Sequence, residues 1–155
     1  MTEEAYREHI LSVPLFAGLT RQTRGVIADR LMEIGLVKRL SAGQALYEKG
    51  AEDLNTGAVL LEGAVTVDPG NGKPIGLSGP ELVGELQQYD DHGRRSATVK
   101  SSEDCAFLEF SWHDLIKGLL DSPHFDAAMQ EELRAAMDRL AAQRIKQLSD
   151  LLRRE

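Results

Sequence analysis

The strongest constraint on the fold is a change of periodicity along the chain. Residues 1–35 and 111–155 carry apolar side chains at the three- and four-residue spacings of helices. Residues 36–110 instead contain short apolar runs separated by Gly, Pro, Asn and Asp, and they hold most of the fourteen glycines. Many short strands with glycine-rich turns suggest a β barrel or sandwich. We therefore expect a mainly β core with helices before and after it.

The first 35 residues predict helix, interrupted at Pro14 and resumed after Thr20. An apolar cluster before the second helix contains Ile10, Leu15, Phe16 and Leu19, and the helix itself carries Val26, Ile27, Leu31 and Ile34 on one face. Gly35 is expected to stop this helix in the C′ position.

The central part predicts strands at 36–40, 44–48, 57–68, 73–78, 96–100 and 104–110, with the third bent or paired around Gly63. The clearest hairpin signal is the segment 68–72, Asp-Pro-Gly-Asn-Gly. Asn71-Gly72 readily supplies the positive φ angles of a tight turn.

The last part predicts two helices. Ser111 and Asp114 resemble a capping box at the start of the first, whose apolar face contains Leu115, Ile116, Leu119 and Leu120. Ser122-Pro123 ends it, and a longer helix is expected from about 124 to 153, with Phe125 on its apolar face. Residues 141–152 carry a short 4-3-4 apolar seam typical of coiled coils.

Length and composition limit the function classes. A chain of 155 residues fits one domain, 1–155, made of the parts 1–35, 36–110 and 111–155. The net charge of −7 disfavours non-specific nucleic-acid binding. We expect no membrane segment, because no run approaches ~20 apolar residues. The single cysteine and the acidic N-terminus, without a secretory signal, predict a cytoplasmic location.

No residue pattern makes a persuasive enzyme. The four histidines are scattered, without metal-ligand spacing to other ligands, and Cys105 lies in an apolar strand run that favours a buried thiol. The segment 76–80 resembles a nucleophile elbow but ends in Pro80 where glycine belongs. We therefore predict no catalytic residue, no cofactor and no metal.

One segment, 82–99, carries chemical information. A strand is expected to end at Gly84, where the missing Cβ allows close approach to a ligand. Glu85 follows and could accept hydrogen bonds from a sugar hydroxyl. After a polar loop come Arg94 and Arg95. An arginine presents two parallel N–H donors to a phosphate. This set suits a sugar phosphate or nucleotide, although an Arg–Glu ion pair in an ordinary hairpin explains the same spacing.

The segment resembles the phosphate-binding cassette of the cyclic nucleotide-binding domain family. In that family Gly-Glu-Leu is followed about ten residues later by Arg-Ser-Ala or Arg-Ala-Ala and then Thr-Val; here these are residues 84–86 and 95–99. Further similarity lies at 13–19, 42–50, 58–67 and 103–108, so the resemblance covers roughly 10–140. It implies a β jelly roll with an N-terminal helical bundle and a C-terminal hinge or dimerisation helix.

The resemblance also implies a ligand, cAMP or cGMP, and roles for individual residues. Arg95 would bind the cyclic phosphate, with Arg94 as its rival, and Glu85 the ribose 2′-hydroxyl. Backbone amides near Gly84, Leu86 and Ala97 would assist, and the Ser96 hydroxyl could touch the phosphate or a purine amino group. Gln87, Gln88 and Tyr89 depart from the small and apolar residues usual after Gly-Glu-Leu.

In the family, ligand binding moves the C-terminal helix over the base. Met129, Leu133 and Met137 are the candidates to cover the purine here, or else they pack on the roll or on a partner helix. The seam at 141–152 would pair with a second copy to form a homodimer.

Two other interpretations stay open. The chain could be a degenerate, ligand-free domain that serves as a dimeric interaction module. It could instead be the sensor portion of a transcription regulator of the catabolite-activator type, which continues into a helix-turn-helix domain. Because the sequence stops at Glu155 after the long helix, we expect no DNA binding by this chain. A cyclic dinucleotide is a variant ligand, and the downstream protein partner is not identified by the sequence.

Overall fold

The computed structural model describes residues 2–51, 56–70, 74–84 and 97–153, in which helices flank a β structure. The helices in these ranges are α1 (Glu3–Leu11), a 3-10 turn (Pro14–Gly18), α2 (Arg21–Ile34), α3 (Trp112–Asp121) and α4 (Ala127–Arg153). The strands are β1 (Leu36–Leu40), β2 (Ala45–Tyr47), β3 (Thr56–Glu62), β4 (Ala64–Asp68), β5 (Ile75–Ser78), β6 (Glu81–Val83), β7 (Thr98–Ser101) and β8 (Cys105–Ser111).

The described strands form two four-stranded antiparallel sheets. Sheet A has the order β1-β8-β3-β6 and sheet B the order β2-β7-β4-β5. Eight strands that alternate between two sheets in this way are the topology of a jelly roll. The predicted fold class is therefore confirmed, including the division of the segment 57–68 into two strands at Gly63.

Strand β3 separates two apolar layers because its side chains alternate in direction. Ala58 and Leu60 face the space between the sheets, the inner layer. Val59 and Leu61 face the helices, the outer layer. The inner layer contains Tyr47, Ala58, Leu60, Val65, Val83, Val99, Cys105 and Phe107. The outer layer joins sheet A to all the helical segments and includes Phe16, Leu31, Leu82, Trp112 and Leu119.

The end of α2 differs from the prediction in its backbone. Gly35 ends the helix, and its N–H donates to the carbonyl of Leu31 at 2.8 Å. Its φ of −78° is not left-handed, so the expected C′ geometry is wrong. Glycine is needed for another reason: a Cβ at this position would lie 2.6 Å from Cγ of Leu108 on β8. The close packing of the end of α2 on β8 therefore requires a residue without a side chain at position 35.

The long C-terminal helix begins later than predicted. It starts at Ala127, and Asp126 caps it by accepting a 2.9 Å hydrogen bond from the N–H of Met129. Phe125 therefore lies before the helix and not on its face, and it is buried in the outer layer. An aspartate three residues before a partly buried methionine was the signal that the prediction overlooked.

The first C-terminal helix is capped as predicted, since Oγ of Ser111 accepts from the N–H of Asp114 at 3.2 Å. Only half of its predicted apolar face is covered. Leu115 and Leu119 are buried, whereas Ile116 and Leu120 are 39% and 54% exposed.

The β4–β5 hairpin also forms, with Val67 opposite Ile75. Asn71 and Gly72, which were predicted to make its turn, lie outside the described residues.

Candidate functional site

Two strands bracket the segment that the sequence singled out. Strand β6 pairs with β3 at the edge of sheet A, with Val83 opposite Ala58. It is followed by Gly84, whose φ of +86° is left-handed and favours glycine. Strand β7 begins at Thr98 inside sheet B, directly after Ala97. Gly84 and Ala97 are therefore the points where the chain leaves one sheet and enters the other.

The residues with the predicted chemistry are only partly placed. Gly84 and Ala97 are described, and Ala97 is buried. The remaining predicted ligand contacts, Glu85, Leu86, Arg94, Arg95 and Ser96, lie outside the described residues. Whether the acid and an arginine face one another therefore stays a prediction.

The surroundings of β6 and β7 are apolar on their inner side. Val83 and Val99 are buried in the inner layer together with Tyr47 and Phe107. These four side chains pack against one another, so the inner layer here is core. It offers nothing to a phosphate, so an anion would have to be bound by the polar groups that follow Gly84 and precede Thr98.

Lys49 is a neighbour that sequence reasoning missed. Its backbone N–H donates to the hydroxyl of Thr98 at 3.0 Å, which ties the segment after β2 to the start of β7. Its ammonium group donates to the carbonyl of Pro69. Lys49 therefore supports the turn after β4 through its ammonium group and the return strand beside Ala97 through its backbone N–H.

The three predicted base-covering residues are placed in the outer layer. Met129, Leu133 and Met137 are partly buried and pack against the helices and the outer face of sheet A. Sheet A consequently stands between them and the inner layer. This arrangement corresponds to the packing alternative for these residues, and their contact with a base stays a prediction.

Helix α4 is anchored to the N-terminal helices by Glu132. Its carboxylate accepts a 2.7 Å hydrogen bond from the backbone N–H of Thr20 and another of 2.7 Å from the hydroxyl of Thr23. Thr20 is the N-cap of α2, and Thr23 is the third residue of that helix. In a capping box the third residue supplies the acid that accepts from the N-cap N–H. Here threonine occupies that position, and α4 supplies the acid.

These hydrogen bonds change the titration of the carboxyl group. The N–H of Thr20 and the hydroxyl of Thr23 hold the pKa of Glu132 below its ordinary value, although partial burial acts in the opposite direction. The carboxylate is also at the N-terminus of α2, where negative charge is favoured. Glu132 is thus ionised while it holds α4 in place.

A second contact along α4 involves Arg139. A Cβ added at Gly18 in the 3-10 turn would come within 2.5 Å of Nη2 of Arg139, so the guanidinium lies directly over this glycine. Glu132 and Arg139 are two turns apart on α4. Both therefore lie against the N-terminal segment from the first half of the helix, but only Glu132 has hydrogen bonds to it among the described contacts.

Two surface concavities border α4. A groove of about 360 Å³ lies between α3 and α4, with exposed Ile116 and Leu120 on one wall and Leu133 and Met137 on the other. A shallower one of about 460 Å³ lies between α2 and the start of α4, beside His124. The residues lining both come from helices and the turn before α4, not from β6 or β7.

Two classes of site find no support in the described residues. Within them, no group of three or more His, Cys, Asp or Glu side chains is placed to hold a metal ion. Among the helices in the same ranges, none has both the length and the apolar character needed to cross a membrane. Cys105 is buried in the inner layer, and its thiol donates to the carbonyl of Ala64 at 3.2 Å.

Comparison with known proteins supports a sensor or regulatory fold. The sensor domain of the transcriptional regulator DNR from Pseudomonas aeruginosa is 17% identical, with a TM-score of 0.65 and coverage of 89% of this chain and 91% of that one. A protein of a cyclic-GMP-dependent signalling pathway that regulates bacterial phytopathogenesis is 26% identical, with a TM-score of 0.61 and coverage of 80% and 95%. No family model and no curated protein matches the chain. The structural neighbours are consistent with a cyclic nucleotide-binding-like fold.

Proposed function

We propose that this protein is a regulatory module that binds a cyclic mononucleotide and couples binding to movement of α4. The observation that carries the proposal is the placement of Gly84 and Ala97. They stand at the ends of β6 and β7, where the chain passes between the two sheets beside the apolar inner layer. The acid and the two arginines of the 82–99 segment belong to the chain between these two residues.

The proposed contacts follow from the chemistry of the ligand. A cyclic nucleotide carries one negative charge on a ring-closed phosphate, which a bidentate arginine, Arg95, would bind. Glu85 would accept from the ribose 2′-hydroxyl, and the Ser96 hydroxyl would donate to the phosphate or accept from a purine amino group. Backbone amides near Gly84, Leu86 and Ala97 would add donors around the phosphate. The protein binds its ligand and performs no reaction on it.

The choice of the first ligand to test comes from a structural neighbour. The 26% identical protein belongs to a pathway that depends on cyclic GMP. We therefore place cGMP first and cAMP second.

Isothermal titration calorimetry with purified protein tests this proposal. We expect saturable binding of cGMP or cAMP, and much weaker binding of the matched 5′-monophosphates, GMP and AMP. The open monophosphates carry a second negative charge and lack the ring that fits one arginine. An absence of heat at millimolar cyclic nucleotide would reject the proposal.

The proposal extends to assembly and location. We propose a homodimer through residues 141–152 of α4, a downstream protein partner, and a cytoplasmic location, with no DNA contact by this chain. The buried free thiol of Cys105 fits a reducing compartment. Light scattering with and without nucleotide measures the dimer directly.

A second candidate function is a ligand-free dimeric interaction module. It is favoured by the exposed apolar side chains of Ile116 and Leu120, which border the groove between α3 and α4. Apolar side chains gathered beside a groove are typical of contact surfaces. This candidate predicts a dimer whose stability does not change when cGMP or cAMP is added, and the light-scattering experiment separates the two.

A further inference from the structure

Helix α4 cannot pack on the outer face of sheet A and cover a base at the same time. Met129, Leu133 and Met137 now fill the outer layer, on the far side of sheet A from the inner layer. Any contact between these side chains and a base at β6 and β7 requires α4 to leave its present position. The energy that holds α4 in place therefore opposes the change that the ligand would drive.

Only some of the polar contacts of α4 resist such a movement. Arg134 pairs with Glu131 and, at 2.9 Å, with Asp138, and all three residues belong to α4. These ion pairs move with the helix and remain intact. The bonds of Glu132 to Thr20 and Thr23 instead join α4 to α2 and must break.

We propose that Glu132 is a latch that holds α4 in the outer position and lowers the apparent affinity for nucleotide. The inference rests on the proposed function, because it assigns a regulatory role to a residue that lies outside the predicted binding segment. Thr23 is fully buried, and the N–H of Thr20 would lose its carboxylate acceptor. Breaking the latch is therefore unfavourable, and only the fraction of molecules with α4 released is competent to close.

The first experiment measures the latch without any nucleotide. The amide of Thr20 reports on it directly, because its hydrogen is bonded to Glu132. We compare wild-type protein, Glu132→Ala and Glu131→Ala by NMR-detected hydrogen exchange. The control residue is the adjacent exposed carboxylate, which bonds only within α4 in the described contacts. We expect at least about tenfold faster exchange at Thr20 in Glu132→Ala alone. Equal exchange in all three proteins would overturn the proposal.

The second experiment measures affinity for whichever of cGMP and cAMP the wild-type protein binds. Removing the latch should raise the competent fraction and tighten Kd by roughly threefold to tenfold in Glu132→Ala. Glu131→Ala should stay within about twofold of the wild type. Unchanged or weaker binding in Glu132→Ala contradicts the gating role. If the wild type binds neither nucleotide, the proposed function fails and the gating role with it, whereas the exchange experiment still judges the contact itself.

Thr23→Val is the second variant, for the case in which Glu132→Ala unfolds. It keeps the shape of the buried side chain and removes the hydroxyl that donates to Glu132. Tighter binding is expected here too, by a smaller factor. The double variant, Glu132→Ala with Thr23→Val, should bind nucleotide little more tightly than Glu132→Ala, because both changes act on one contact. Fully additive gains would show that the two residues act separately and would refute the latch.

Discussion

The backbone N–H of Lys49 donates a 3.0 Å hydrogen bond to the hydroxyl of Thr98. This bond ties the segment after β2 to the first residue of β7, immediately after the predicted phosphate-binding residues. Thr98→Val removes the acceptor with little change of shape, so we expect the free energy of unfolding to fall by about 1 kcal/mol. Urea denaturation measures this change.

Thr66→Val on β4 is the matched control, since the hydroxyl of Thr66 makes no hydrogen bond within the described part of the chain. It introduces the same β-branched side chain into a neighbouring strand of sheet B. If Thr66→Val lowers the free energy of unfolding as much as Thr98→Val does, the bond to Lys49 contributes nothing to stability.

A substitution at Gly35 tests the contact between α2 and β8. Gly35→Ala places a methyl group 2.6 Å from Cγ of Leu108 and 2.8 Å from the carbonyl oxygen of Leu31. We expect unfolding to become easier by roughly 1–3 kcal/mol, as for other overpacked sites. Gly76→Ala is the control, because a Cβ there meets no other atom within 4 Å. It should change stability by less than about 0.5 kcal/mol, and equal losses at the two glycines would exclude the steric explanation.

The pH dependence of stability follows from Glu132. Its pKa is lowered in the folded protein by hydrogen bonds from Thr20 and Thr23. The resulting stabilisation is therefore complete above the ordinary carboxyl pKa of about 4.3 and is lost as the pH falls through the lower, folded value. Unfolding experiments on wild-type protein and Glu132→Gln should diverge near pH 7 and converge at acidic pH. The donors are uncharged, so added salt should leave the difference intact. A difference that is constant with pH would contradict this assignment.

The two adjacent arginines can be distinguished by substitution. If Arg95 binds the cyclic phosphate, Arg95→Ala should weaken nucleotide binding by roughly 2–5 kcal/mol, which is at least about 30-fold in Kd. Arg94→Ala should change the Kd by only a few fold, through the loss of a nearby positive charge. Calorimetry on both variants shows which arginine binds the phosphate. A large loss of affinity confined to Arg94→Ala would assign the phosphate to Arg94.

Periodicity was enough to predict a β barrel or sandwich between helices, because each strand alternates its side chains and each turn needs its own residues. The jelly roll itself was predicted only through the resemblance to the cyclic nucleotide-binding domain family. Gly63 marked the point where the chain changes sheets, and Ser111 marked the start of α3. The cap of α2 could not be predicted in this way. Its acid, Glu132, is 112 residues from Thr20 in sequence, so local pattern reasoning had no access to it. The same holds for Gly35, whose role depends on Leu108 across the helix–sheet contact.

The structure describes the predicted ligand-binding segment only at its two ends, Gly84 and Ala97. The close approach of a ligand to Gly84 stays a prediction, and the structure adds that the left-handed backbone at this position favours glycine. Ala97, whose backbone amide is predicted to assist phosphate binding, is buried. The position of α4 could not be read from its apolar spacing, since Met129, Leu133 and Met137 suit a helical neighbour and a purine equally well. Only tertiary contacts, such as those of Glu132, distinguish the two.

The side chains of β3 and β6 alternate between two apolar compartments, the inner layer and the outer layer. Leu60 and Val83 belong to the compartment between the sheets, whereas Val59 and Leu82 belong to the one beneath the helices. Changes at Leu60 or Val83 would therefore alter the packing between the two sheets without changing the side chains that contact α4. The cohesion of the two sheets and the seating of the long helix can therefore be altered independently, by substitutions at adjacent positions of the same two strands.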